Sequence, residues 1–316
     1  MAADPSRGFS RRRLLQSSAV AAAALAATAS LSGDEPAPKE SPAPEPRARN
    51  GRVKQSFVHW CWKEYWDVPT MCAHAKTLGC ESVELVPVEH FKTIKENGLT
   101  CAIASSHGFV KGMNDPAHHE YCIEKLTASI DACAEYGFPT VITFTGFAKS
   151  PDPKPGERTT AIDPEEGIAN CVAGFKKIVG YAEKKGVNLS LEMLNSRVDE
   201  NMKGHPGYQG DHVDYCMQIL RQVGSPRLGL LFDIYHVQIM DGDVIRRIGE
   251  CGEFINHVHT AGNPGRCELD APQEINYPPI IKALAESGYQ GYVGHEFIPT
   301  RDPWDGLEKA VRMCDV

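Results

Sequence analysis

The sequence predicts an α/β protein: a single (β/α)8 TIM barrel over residues 51–316, preceded by a signal peptide (1–29) and a disordered linker (30–50). Three observations carry that prediction. From Val53 onward, a short apolar strand with polar residues at its end is followed by a helix, and the unit repeats. A glycine closes each helix just before the next strand. Eight such units occupy roughly 260 residues, the usual length of a closed parallel barrel.

The first strand is Val53–His59. Seven glycine-to-strand joins follow. Gly79 precedes Ser82–Val86, Gly98 precedes Cys101–Ala104, Gly137 precedes Val141–Phe144, and Gly186 precedes Leu189–Leu191. Gly224 precedes Leu228–Phe232, Gly252 precedes Phe254-Ile255, and Gly288 precedes Tyr292-Val293. Glycine suits the residue after a helix because it enters the left-handed turn without a Cβ clash. Helix starts are marked by Asp115-Pro116, Asp163-Pro164 and Asp302-Pro303, each an N-cap aspartate before a first-turn proline. Glu166 adds a capping box to Asp163, and the last helix is expected over Pro303–Cys314. The strands are nearly all apolar, as befits strands covered on both faces. An open doubly wound sheet is the competing architecture. The count of eight, with no glycine-rich phosphate loop after the first strand, argues against it.

Residues 1–29 read separately. Ser10-Arg11-Arg12-Arg13 leads into an alanine-rich run, Ala19–Ala29, ending in small residues. This resembles a twin-arginine export signal and is too short for a comfortable membrane span. It implies a periplasmic or other extracytoplasmic location, with no stable span after processing. Removing it takes away four arginines and one aspartate and moves the net charge from −8 to −11. An acidic chain disfavours nucleic acid as a partner. The small-molecule reading leaves room for a homo-oligomer. The 11 cysteines are odd in number and form no C-x-x-C pair. Several, such as Cys72, Cys122 and Cys133, sit in helical segments as small core residues, and no disulfide framework is expected.

In a barrel of this kind, chemistry collects at the C-terminal strand ends. The fifth strand ends in Glu192, the sixth in Asp233, the seventh in His257-Val258-His259, and the eighth in His295-Glu296. Adjacent strands lie about 4.8 Å apart, so three carboxylates and an imidazole would share one rim. Unpaired, such carboxylates repel and raise one another's pKa; a divalent cation removes the difficulty. The donor set suits Mg2+ or Mn2+, and Zn2+ or Co2+ is also compatible. Each residue alone could equally cap the next helix. Arg266, in the turn after His259, is placed either to bind a substrate carboxylate or to pair with Glu268 or Asp270. His236 points into the site or caps its helix. Glu84 and His107 end the second and third strands, as pocket lining or as structural groups. Trp60 and Trp62 are rim or core, and the loop Arg197–Gln209 is a candidate lid.

Four stretches carry a resemblance: Leu191-Glu192-Met193-Leu194-Asn195, Phe232-Asp233-Ile234-Tyr235-His236, the segment His257–Tyr277, and Gly291–Pro299. Over residues 53–316 the chain resembles the xylose isomerase-like TIM-barrel superfamily, in its hydroxypyruvate isomerase and ketose 3-epimerase branch. Asn263-Pro264-Gly265-Arg266 and Glu274-Ile275-Asn276-Tyr277 point to the hydroxypyruvate isomerase side. Two positions depart from it: hydroxypyruvate isomerase-like members often carry Gln where His259 stands and Pro where Met193 stands. The resemblance implies one divalent metal held by Glu192, Asp233, His259 and Glu296. Glu192 and Glu296 would double as the acid/base pair, and His236 and Arg266 would contact substrate oxygens. The expected substrate is a small keto acid or sugar, hydroxypyruvate interconverting with tartronate semialdehyde. Alternatives are a ketose 3-epimerase and an AP-endonuclease-like phosphodiesterase, the latter expected to need more histidine ligands and a basic face.

Overall fold

The computed structural model describes residues 50–150, 158–270 and 272–316. The export signal and nearly all of the linker expected from the sequence therefore lie outside the described residues. Seven parallel strands form one sheet: β1 (Lys54–Val58), β2 (Ser82–Glu84), β3 (Thr140–Phe144), β4 (Asn188–Glu192), β5 (Leu228–Asp233), β6 (Ile255–Thr260) and β7 (Tyr292–His295). Their spatial order is β2-β1-β7-β6-β5-β4-β3, so the edge strands are β2 and β3.

The expected strand Cys101–Ala104 is the one departure from the eightfold reading. It is present only as single parallel bridges, Thr100 to Ser82 and Ala104 to Val141. Those bridges nonetheless link the sheet's two edges, and the sheet curls. The ladder breaks because Ala102 N–H donates to the Ser82 hydroxyl at 2.9 Å rather than to a backbone carbonyl.

Glycines 79, 98, 137, 186, 224, 252 and 288 all have positive φ. The aspartate caps also form: Asp163 accepts from Glu165 N–H, and Asp302 from Trp304 and Asp305 N–H. Asp115 caps a 3-10 turn, Pro116–His118, that leads into the helix His119–Tyr136. Between β3 and β4 the chain forms two helices, Pro164–Phe175 and Val179–Lys185. The last helix is Pro303–Cys314.

Strand periodicity sorts the core. Val141, Leu189, Leu191, Leu230, Phe232, Val258 and Val293 belong to the large cluster that includes the buried side chains of the outer helices. Ile142, Phe144 and Leu231 alternate with them and form a smaller cluster with Ile103, Leu194 and Tyr208. The same alternation puts Glu192, Asp233, His257 and His259 on the inner face. All 11 cysteines are free, and every one except Cys267 is buried. Among the described residues, no helix is long and apolar enough to cross a membrane.

Candidate active site

Register assembles the site. Asp233 on β5 pairs with His259 on β6, which pairs with Gly294 on β7, two residues before Glu296. Glu192, the last residue of β4, lies beside Leu231 of β5. Glu192, Asp233, His259 and Glu296 are all buried, and each offers a donor atom within 4.8 Å of the others. The four residues expected at one rim are thus brought together.

Each is held from behind. Asp233 Oδ1 caps the helix Ile234–Met240 by accepting from Tyr235 and His236 N–H, which leaves Oδ2 to face the cluster. The backbone carbonyl of Glu192 accepts from the Tyr208 hydroxyl at 2.8 Å. Glu296 extends the ladder past β7 through its N–H to Thr260 O, and its Oε1 accepts from Trp60 Nε1–H at 2.8 Å. His259 Nδ1 lies 2.9 Å from Glu296 Oε2 and 3.4 Å from Glu192 Oε1.

Arg266 follows in a short antiparallel turn closed by the Gly262–Cys267 bridge. Its guanidinium lies between the Trp60 and Tyr235 rings. Nη2 is 2.5 Å from Glu296 Oε2 and 3.7 Å from Asp233 Oδ2, and Nη1 donates to Met202 O at 2.6 Å. Of the two roles open to it in the sequence, pairing with Glu268 or Asp270 is not found. Glu268 instead accepts from Thr300 and Arg301, and Asp270 pairs with Arg301.

The electrostatics follow from this crowding. Burial pushes the Glu192 carboxyl up to about 7, with His259 pulling it down and Glu296 raising it further. Burial also raises Asp233, against the pull of Arg266. Glu296 is depressed: burial opposes its charge, but Arg266 and His259 outweigh that. Burial likewise opposes a charge on His259, yet Glu296, Glu192 and Glu84 raise its pKa well above 6.5.

A divalent cation fits this arrangement. Three carboxylates and one imidazole nitrogen converge, and His259 Nδ1, although 2.9 Å from Glu296 Oε2, is buried without a hydrogen bond of regular geometry. That donor set matches hard to borderline divalent ions. Glu192, Asp233, His259 and Glu296 are the residues that would hold one.

Above the cluster opens a cavity of about 250 Å3 whose lining includes Glu192, Glu296, Arg266, Trp60, His107 and His205. His107 therefore reaches the pocket, but both ring nitrogens are engaged within the fold, by Thr143 Oγ1 and by the Gly108 and Lys111 carbonyls. Of the two readings left open for Glu84, pocket lining or structural group, its surroundings accord with the second. It is fully buried, absent from the lining, and its Oε1 is 2.9 Å from His259 Nε2 and 3.1 Å from His257 Nε2. Burial would raise this carboxyl, but the two histidines hold it at about 2. His236 is fully buried beside Asp233; its Nδ1 accepts from Asn195 N–H at 3.0 Å, and Nε2 is 3.6 Å from Asp233 Oδ2.

Three contributors were not assigned from sequence. The Trp60 indole bonds Glu296, the Met202 carbonyl latches Arg266, and His205 packs on Phe109 at 4.2 Å. The polar, glycine-containing loop Arg197–Gln209 was the only sequence signal for the last two. Desolvation lowers His205 to about 4, with Arg266 adding to the effect, so it is neutral in the pocket wall.

The family profile described as "Xylose isomerase-like TIM barrel" matches residues 72–315. A human protein named putative hydroxypyruvate isomerase is 39% identical over 262 residues, covering 79% of this chain and 91% of that one. A 2-oxo-tetronate isomerase of Pectobacterium atrosepticum is 28% identical over 251 residues, covering 74% and 87%. A solved structure titled AP endonuclease, family 2, from Brucella melitensis superposes with a TM-score of 0.68 over 81% of this chain and 96% of that one. At 23% identity that likeness speaks for the fold alone. By its profile match and its relative covering most of its length, this chain belongs to the xylose isomerase-like TIM barrel family.

Proposed function

We propose that the protein is a metal-dependent isomerase that moves a carbonyl between adjacent carbons of a small 2-keto acid, with hydroxypyruvate going to tartronate semialdehyde. One observation carries the reading: two carboxylates, Glu192 and Glu296, line the same small pocket and converge on His259 Nδ1, with the Arg266 guanidinium at their edge. The relatives named putative hydroxypyruvate isomerase and 2-oxo-tetronate isomerase support it.

The reaction needs a proton removed from the hydroxymethyl carbon and one returned to the neighbouring carbonyl carbon, while the hydroxyl proton passes to the former carbonyl oxygen. A carboxylate on each side of the substrate does this by general base and general acid catalysis. Glu192 lines the pocket beside Glu296 and is placed to exchange a proton with the substrate. Glu296 is held ionised by Arg266 and kept in place by Trp60. A divalent cation held by Glu192, Asp233, His259 and Glu296 would supply positive charge to stabilise the enediolate. Arg266 orients the substrate carboxylate by charge-assisted hydrogen bonds, and the Trp60 and Phe109 side of the pocket limits water.

The test is a substrate panel in D2O followed by NMR, with Mg2+ or Mn2+ supplied. Hydroxypyruvate should take up deuterium at the exchanging carbon as tartronate semialdehyde forms. Exchange at C3 of a ketose, with none on keto acids, would replace the proposal by an epimerase. No exchange on any compound would refute both. Export by the twin-arginine route is proposed from the Ser10–Ala29 sequence, to be checked by fractionating cells that express the full chain.

A further inference from the structure

We propose that Glu84 is a positioning residue that fixes the ring of His259 so that Nδ1, and not Nε2, faces the carboxylate cluster. The inference rests on reading Glu192, Asp233, His259 and Glu296 as a cation site. Glu84 lies on β2 and His259 on β6, 175 positions apart in sequence. An ionised carboxylate only accepts hydrogen bonds. With Glu84 Oε1 at 2.9 Å, His259 Nε2 must carry the hydrogen. Nδ1 is then the atom that receives a proton or a cation, and it is the nitrogen 2.9 Å from Glu296 Oε2 and 3.4 Å from Glu192 Oε1.

Two features show that the arrangement is built. His257 Nε2 donates to the same Glu84 oxygen at 3.1 Å, so the carboxylate is held from two directions. The two rings stand perpendicular, with centroids 4.9 Å apart. The space above them is kept open by Gly294 of β7, where a Cβ would lie 2.0 Å from Glu84 Oε1 and 3.0 Å from His259 Cδ2. A side chain there would push the carboxylate off the imidazole. A carboxylate behind a ligating histidine fixes its tautomer and orientation, and losing it typically lowers metal affinity about 10–100-fold.

The experiment is Co2+ and Mn2+ titration of the full chain carrying Glu84→Gln, Glu84→Leu or Gly294→Ala. Histidine tautomers are read by long-range 1H–15N correlation on the metal-free protein, at a pH where His259 is neutral. Glu84→Leu should weaken binding about 100-fold and lose the single Nε2–H state of His259. Glu84→Gln keeps an acceptor without charge and should lose about 10-fold. Gly294→Ala should resemble Glu84→Leu while leaving every proposed ligand unsubstituted. If Glu84→Leu does not fold, as judged by circular dichroism, Glu84→Gln and Gly294→Ala decide the matter. Wild-type affinity together with an unchanged His259 tautomer in the folded variants would overturn the role of Glu84 alone. A wild-type chain that binds none of these cations would overturn the cation site and this inference together.

Discussion

Replacing Arg266 by methionine should destabilise the metal-free protein far more than the metal-loaded one. The Arg266 side chain is 3% exposed and its partner Glu296 6%, so solvent screens the pair little. Asp233 Oδ2 lies 3.7 Å from the same nitrogen. At an effective dielectric of ~20, a pair at that separation is worth about 4.5 kcal/mol. Removing one partner of a buried pair typically costs about 3–5 kcal/mol, because the other charge is left uncompensated. Methionine fills the space between Trp60 and Tyr235, so the loss is mostly electrostatic. Proton uptake by Glu192 and Asp233 caps it, and about 3 kcal/mol is the expected net loss. Urea unfolding at pH 7, with chelator and with saturating Mn2+, measures it. The variant should be less stable by that amount in chelator and should recover most of it with Mn2+, since the cation supplies the missing positive charge. A variant within ~0.5 kcal/mol of wild type in chelator, or a Mn2+ increment equal to wild type's, would refute this account of Arg266.

Glu296→Gln should lower kcat by roughly 10²–10⁴-fold, the usual worth of a general acid or base; deuterium exchange into substrate is the readout, and turnover within tenfold of wild type would exclude Glu296 from proton transfer. The metal-free protein should lose stability as pH rises from about 5 to about 7.5. Glu192 has a folded pKa of about 7 against an ordinary 4.5, so ionising it while buried opposes folding increasingly across that window. His259, raised above 6.5, adds in the same direction, because its stabilising charge is lost as pH climbs through the folded value. Thermal melts across this range should show the decline with chelator, and Mn2+ should flatten it. The opposite sign holds below about pH 4.5: Glu84, held at about 2, contributes stability there that disappears on acidification.

Much of this was legible in one dimension because it is periodic or local. The glycines at helix ends, the aspartate-proline caps and the apolar strands set the βα repeat, since each depends on φ or on a hydrogen bond within a few residues. The four cluster residues were legible for a related reason. Consecutive parallel strands place their ends on one rim, so polar residues ending four strands in a row must meet. Cys101–Ala104 shows where such reasoning stops. Its residues suit a strand, but a hydroxyl on the neighbouring strand, Ser82, takes the N–H of Ala102 that a ladder would use.

What the sequence by itself determined, then, is the repeat, the rim and the chemical kind of its residues. Only the tertiary structure decided how they act on one another. It set Glu84 beneath two histidines rather than in the pocket, because β2 and β6 share an interior across more than 170 positions. It turned Arg266 away from Glu268 and Asp270, its near neighbours in sequence, towards Glu296 between two aromatic rings. Side-chain direction at such distances depends on how the sheet curls and what the next layer leaves open, and no local pattern of residues encodes that.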